Sequence, residues 1–145
     1  MKLNKSLDKY YILVHEIYSN LMLYEIEHLK KGLMKEVTFH EIHTIEIIGN
    51  QREITMQELA SKASVKQSTM TAMVDKLIKK GFVKRYRSED DRRIVLVQLS
   101  KHGEMACAEH KKVHQNITNL WLKILSEKER SDLMKIMEKI ALNMK

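Results

Sequence analysis

Between Lys62 and Arg93 the chain sets ten lysines and arginines against four acids, so this stretch holds six of the seven units of net positive charge. A helix predicted over residues 67–80 arranges Met70, Met73, Val74, Leu77 and Ile78 on one face and Ser68, Thr69, Ala72, Asp75, Lys76 and Lys79 on the other. Small hydroxyl and methyl side chains near the start of the polar face allow close approach to base edges. Lys76, Lys79 and Lys80, further along, fall where backbone phosphates run. After the helix, Asp91 precedes Arg92 and Arg93 in a short polar loop. The carboxylate can hold one guanidinium while the other projects, and a projecting arginine suits a narrow, electronegative minor groove. A solvated charged face is the plainer reading of a basic run, but confinement to one helix and one loop favours nucleic acid.

The histidines offer different chemistry. His110 and His114 are spaced i, i+4, the spacing with which one helical face grips a metal, and Cys107 lies three residues before His110. Cys107 sits in Met105-Ala106-Cys107-Ala108, an apolar setting without an adjacent cation, which favours an inert buried thiol over a redox sensor. Catalysis finds little support. There is no glycine-rich phosphate loop and no nucleophile elbow, and Ser, His and acidic residues occur without a catalytic arrangement.

The elements that must position these residues read as mostly helical. Leu7 to Lys31 repeats apolar residues near a 3.6 period and ends at Gly32. Thr38 with Glu41, Thr55 with Glu58 and Ser126 with Glu129 are capping boxes that open three further helices, and Gly49 closes the first of these. Residues 55–80 have the proportions of a helix-turn-helix, with a turn at Ser64-Val65-Lys66. Phe82–Arg87 and Ile94–Leu99 flank the polar loop as a hairpin, and Ser100 with Gly103 opens a long helix. Zero prolines and only four glycines agree with a largely helical chain. The expected architecture is mainly α: a winged helix-turn-helix lobe over 38–99, with 1–37 and 100–145 supplying helices around it. These flanking helices hold more apolar surface than such a lobe can cover, and a second subunit could cover it.

At 145 residues the chain has single-domain length. It has no apolar run near the ~20 residues that span a bilayer, and its first five residues lack the apolar core of a signal peptide. A single cysteine excludes an internal disulfide. A cytoplasmic location without membrane association is therefore expected.

The order of elements resembles the MarR family of winged-helix transcriptional regulators. The resemblance is carried by Met70-Thr71, Val74-Asp75-Lys76-Leu77, Gly81 before the hairpin, Asp91-Arg92-Arg93 at the wing tip, and Leu99-Ser100 with Gly103. It covers nearly the whole chain. It implies a homodimer built from the terminal helices, with the recognition helix in the major groove of double-stranded DNA and the wing in the minor groove. By position, it implies that Gln67, Ser68, Thr69, Thr71 and Ala72 face the groove. Arg93 is then the wing arginine and Asp91 its holder, while Lys66, where many relatives carry a small capping residue, adds a phosphate contact; Arg87 and Arg92 are also expected to contact the DNA.

Within the family, Glu41 to Gly49, Arg87-Ser88-Glu89 with Asp91-Arg92-Arg93, and His110-Lys111 with His114 resemble repressors of fatty-acid biosynthesis genes. That likeness implies a long acyl chain on acyl carrier protein as corepressor. Zinc-sensing relatives carry histidines at positions resembling His43, His110 and His114, with an acid from the first helix such as Glu25 or Glu27. Hydrogen-bonded structural histidines are the favoured reading, and a zinc site is the alternative.

Overall fold

A computed structural model describes residues 2–144, and their side chains from residue 6 onward. The elements are α1 (Lys2–Leu29), a 3-10 segment (Gly32–Glu36), α2 (Phe39–Gly49), β1 (Ile54–Thr55), α3 (Met56–Lys62), α4 (Gln67–Lys79), β2 (Val83–Arg87), β3 (Val95–Leu99), α5 (Lys101–Ile124) and α6 (Glu127–Asn143). The chain divides into two compact units, Met1–Lys112 and Val113–Lys145.

The first unit contains the winged helix-turn-helix. Its sheet is antiparallel in the order β1-β3-β2, with Arg85 opposite Val97 in the hairpin and Ile54 opposite Val97 on the other side. Ile42, Ile45 and Ile48 of α2, Leu59 of α3, Val74 and Leu77 of α4, Phe82 and Val97 are all fully buried and form the core. Leaving any one of them in water would forfeit about 1.5–3 kcal/mol, which is what holds the short helices against the sheet. The boxes at Thr38/Glu41 and Thr55/Glu58 form in full, each hydroxyl accepting the N3 amide while the glutamate accepts the cap amide.

Several expectations are corrected. The first helix begins at Lys2 and ends at Leu29, and Gly32, at φ +61°, opens a 3-10 segment that periodicity did not reveal. β1 was not anticipated, because two residues carry no alternation to read. Gly49 closes α2 as expected. It is the last helical residue, and it must be small because a Cβ there would stand 2.6 Å from Cys107 Sγ.

Two successive helix ends use the same device. After α3, the Ser64 amide donates to Ser61 O and the Val65 amide to Ala60 O; after α4, the Gly81 amide donates to Ile78 O and the Phe82 amide to Leu77 O. These paired bonds satisfy orphan carbonyls and require a left-handed residue, supplied by Ser64 at φ 53° and Gly81 at φ +80°. A Cβ on Gly81 would meet nothing within 4 Å, so Gly81→Ala isolates the backbone cost alone. The expected loss is about 1–2 kcal/mol in urea unfolding, and an unchanged midpoint would show that the turn accepts another conformation.

In α1, Tyr10, Tyr11, Val14, Ile17 and Tyr18 are half exposed or more. In the second unit, α6 opens on the Ser126/Glu129 box and buries none of its residues, leaving Met134, Ile136, Met137 and Ile140 open to solvent. Among the described residues, no helix is long and apolar enough to cross a membrane.

Candidate nucleic-acid interface

The α3–α4 pair and the hairpin bring three of the residues selected from sequence, Gln67, Thr71 and Arg93, around one cleft of about 520 Å³. Gln67 and Thr71 of α4, Gln57 of α3, Arg85 of β2 and Arg93 of the wing all line it. Ser68, Ala72 and Lys76 are exposed on α4 as predicted. Thr69 instead lines a separate cavity of about 290 Å³ with Phe39, His43, Val65, Met70 and Met73, on another flank of the same helix. Lys66 is the N-cap of α4 and makes no side-chain capping bond, which agrees with its reading as a departure from the usual small cap.

Hydrogen bonding sharpens several roles. Thr71 donates its hydroxyl proton to Gln67 O at 2.9 Å, so what it presents outward is a methyl group and an acceptor oxygen. In the wing, Asp91 Oδ1 accepts the Arg93 backbone amide at 2.9 Å, whereas its ion pair to Arg93 Nε is long, at 3.8 Å. Asp91 therefore shapes the loop more than it restrains the guanidinium, and the Arg93 side chain is 95% exposed. Arg87 donates from one terminal nitrogen to Arg92 O at 2.8 Å, and Ser88 donates its amide to Ile94 O, so Arg87 is committed to closing the wing. Arg92 and Arg93 are left projecting from the tip.

Arg85 was missed by the sequence reading. It pairs with Asp75 of α4 at 2.8 Å, tying recognition helix to hairpin at the edge of the cleft. Strand alternation after buried Val83 could have flagged it only by fixing the register of β2, where Lys84 and Arg85 are both exposed.

The histidines converge on one carboxylate. Buried Glu25 of α1 lies 2.7 Å from His110 Nε2 of α5 and 3.5 Å from His43 Nε2 of α2, and Glu46 Oε2 lies 3.6 Å from His110 Nδ1. His43 Nδ1–H donates to Phe39 O at 2.8 Å, which fixes the tautomer and leaves Nε2 directed at Glu25. One candidate ligand atom from each of Glu25, His43 and His110 lies within 4.8 Å of the others. Of the two acids considered, the fold selects Glu25; Glu27 is exposed. His114 follows one turn beyond His110 on α5.

Cys107 is half-buried rather than fully enclosed, and Met105 and Ala108 beside it are exposed. Burial, reinforced by the Glu46 carboxylate and partly offset by Lys111, pushes its thiol above the ordinary range. Less thiolate is present at neutral pH, so Cys107 is expected to react with iodoacetamide more slowly than a free cysteine, accelerating only as pH rises past the usual thiol value. Rapid labelling at pH 7 would contradict this.

Residues 37–95 match the model of the MarR family. The fold is that of a MarR winged helix-turn-helix protein. The crystal structure of Streptococcus pneumoniae FabT in complex with DNA superposes with a TM-score of 0.85 at 27% identity, covering 93% of this chain and 94% of that one. The Escherichia coli multiple antibiotic resistance protein MarR is 34% identical over 88 residues, 60% of this chain and 61% of that protein. A Bacillus subtilis HTH-type regulator, YfiV, is 32% identical over 69 residues, 48% of this chain and 43% of that protein. The aligned segments thus span roughly half the length of the curated relatives they match. The family match falls on the winged lobe, which is also where Gln67, Thr71 and Arg93 meet.

Proposed function

We propose that this protein is a dimeric, sequence-specific DNA-binding transcriptional regulator, acting as a repressor. The carrying observation is the cleft where Gln67 and Thr71 of the recognition helix stand beside exposed Arg93 of the wing, within the segment holding nearly all the basic surplus. The helix would read base edges while the wing arginines occupy the adjacent minor groove. A second copy would cover the apolar side chains left open on α1 and α6, giving two recognition helices for half-sites about 10 bp apart. Selecting duplexes from a random pool and following affinity against salt tests the reading. A selected pseudo-palindrome whose binding weakens steeply with salt is the expected result; no enrichment, or salt-independent binding, would refute it.

The finer reading is regulation of fatty-acid biosynthesis genes, with an acyl chain on acyl carrier protein as corepressor. It is supported by the residue likenesses around Glu41–Gly49 and His110–His114 and by the similarity to FabT. Long-chain acyl carrier protein, but not the unacylated carrier, should then tighten binding to the selected duplex.

A second reading has the protein respond to zinc through His43, His110, His114 and Glu25. Convergence of Glu25, His43 and His110, with the His43 Nδ1 proton fixed on a carbonyl, favours it. Titration calorimetry of metal-stripped protein decides it: absence of zinc binding below micromolar concentrations would remove this reading.

A further inference from the structure

The 3-10 segment that follows α1 is held at both ends by charged side chains from other elements. At its start, the Glu109 carboxylate of α5 accepts the Leu33 amide at 3.2 Å and crowds Gly32 so closely that a Cβ there would lie 2.0 Å from Glu109 Oε1. At its end, the Lys80 ammonium donates to Glu36 O at 2.7 Å and to Glu41 Oε2 at 2.8 Å. The same Glu41 oxygen accepts the Thr38 amide at 2.7 Å. A carboxylate at the start and an ammonium at the end suit the aligned peptide dipoles of the segment. Buried Met34 and Val37 fix its middle and its exit.

Lys80 is the C-cap of α4, so the recognition helix is bonded at its tail to the segment leading out of α1. Glu41 is only 3% exposed. Burial raises its carboxyl, but the hydrogen bonds from Lys80 and Thr38 outweigh that and hold it below the ordinary value. The ammonium is thus engaged by a buried anion and a helix-end carbonyl, whereas Lys66, Lys76, Lys79 and Lys84 enter no ion pair among the described residues.

We propose that Lys80 is a positioning residue for DNA binding, fixing the angle of the recognition helix through Glu36 and Glu41 rather than touching a phosphate. The inference rests on the DNA-binding reading above. It also gives α1 a mechanical route to α4, since the segment that receives Lys80 is the direct continuation of α1.

The test compares the selected duplex with a random duplex over a range of salt. Lys80→Met and Glu41→Gln should each weaken binding to the selected duplex about tenfold while leaving the random duplex within about twofold and the salt slope unchanged, and the double variant should be no weaker than either single. Gln at 41 retains an acceptor for the Thr38 amide, so it removes the charge pairing with little change of shape. A phosphate contact predicts otherwise: Lys80→Met would weaken both duplexes alike and lower the slope by about one, while Glu41→Gln would bind as well as the parent or better, and either result overturns the proposal. Should Lys80→Met fail to fold, Lys80→Gln keeps a donor toward Glu36 and Glu41 and is read by the same slope. Failure of the parent protein to bind any duplex would instead refute the DNA-binding reading itself.

Discussion

Gly103→Ala is expected to destabilise the protein by at least about 3 kcal/mol, read as a lowered midpoint in urea unfolding. A Cβ at this position would lie 2.0 Å from the Phe82 carbonyl oxygen, a backbone atom that cannot swing aside as a side chain can. Alanine is intrinsically better than glycine within a helix by about 1 kcal/mol, so propensity alone predicts the opposite sign. The clash decides, because the Phe82 carbonyl is also fixed by the Ser100 amide at 2.9 Å, and the Ser100 hydroxyl donates to Gly81 O at 2.6 Å and accepts the Gly103 amide at 3.0 Å. A midpoint equal to or above that of the parent would mean that the start of α5 moves freely relative to Phe82.

Arg93→Ala is expected to weaken the selected duplex by about tenfold or more, on the order of 1–3 kcal/mol, with dimerisation and thermal stability unchanged. The side chain is almost wholly exposed, and its link to Asp91 through Nε is at the limit of an ion pair, so little in the folded chain depends on it. The neighbouring substitution gives a contrast. Arg87→Ala removes the bond to Arg92 O and should loosen the wing, weakening binding while also increasing proteolytic cleavage near the tip. Unchanged affinity of Arg93→Ala, measured where the parent is half saturated, would take the wing out of the interface.

How much of this was legible from the chain depended on whether the information was local. The capping boxes at Thr38, Thr55 and Ser126 were readable because both partners lie within one helical turn. The hairpin and the exposed face of α4 followed from residue type and period, with Gly81 marking the boundary between them. Pairings across long separations were not readable. Glu25 and Glu27 are equivalent until the fold buries one of them beside His110, 85 residues away. Lys80 resembles Lys76 and Lys79 in sequence, and only its partner 39 residues earlier separates it from them. Arg87 looked like a groove contact because its commitment is to the Arg92 carbonyl, a group that no residue pattern announces.

The two ends of α4 are built unequally. The tail is gripped by the Gly81 turn, the Ser100 bridge and the Lys80 bonds, whereas the head begins at Lys66 with no side-chain cap. The polar bonds that orient α4 from other elements are thus gathered at its rear, while Gln67, Ser68 and Thr71 at the front are placed by backbone bonds and by the burial of Met70 beneath them.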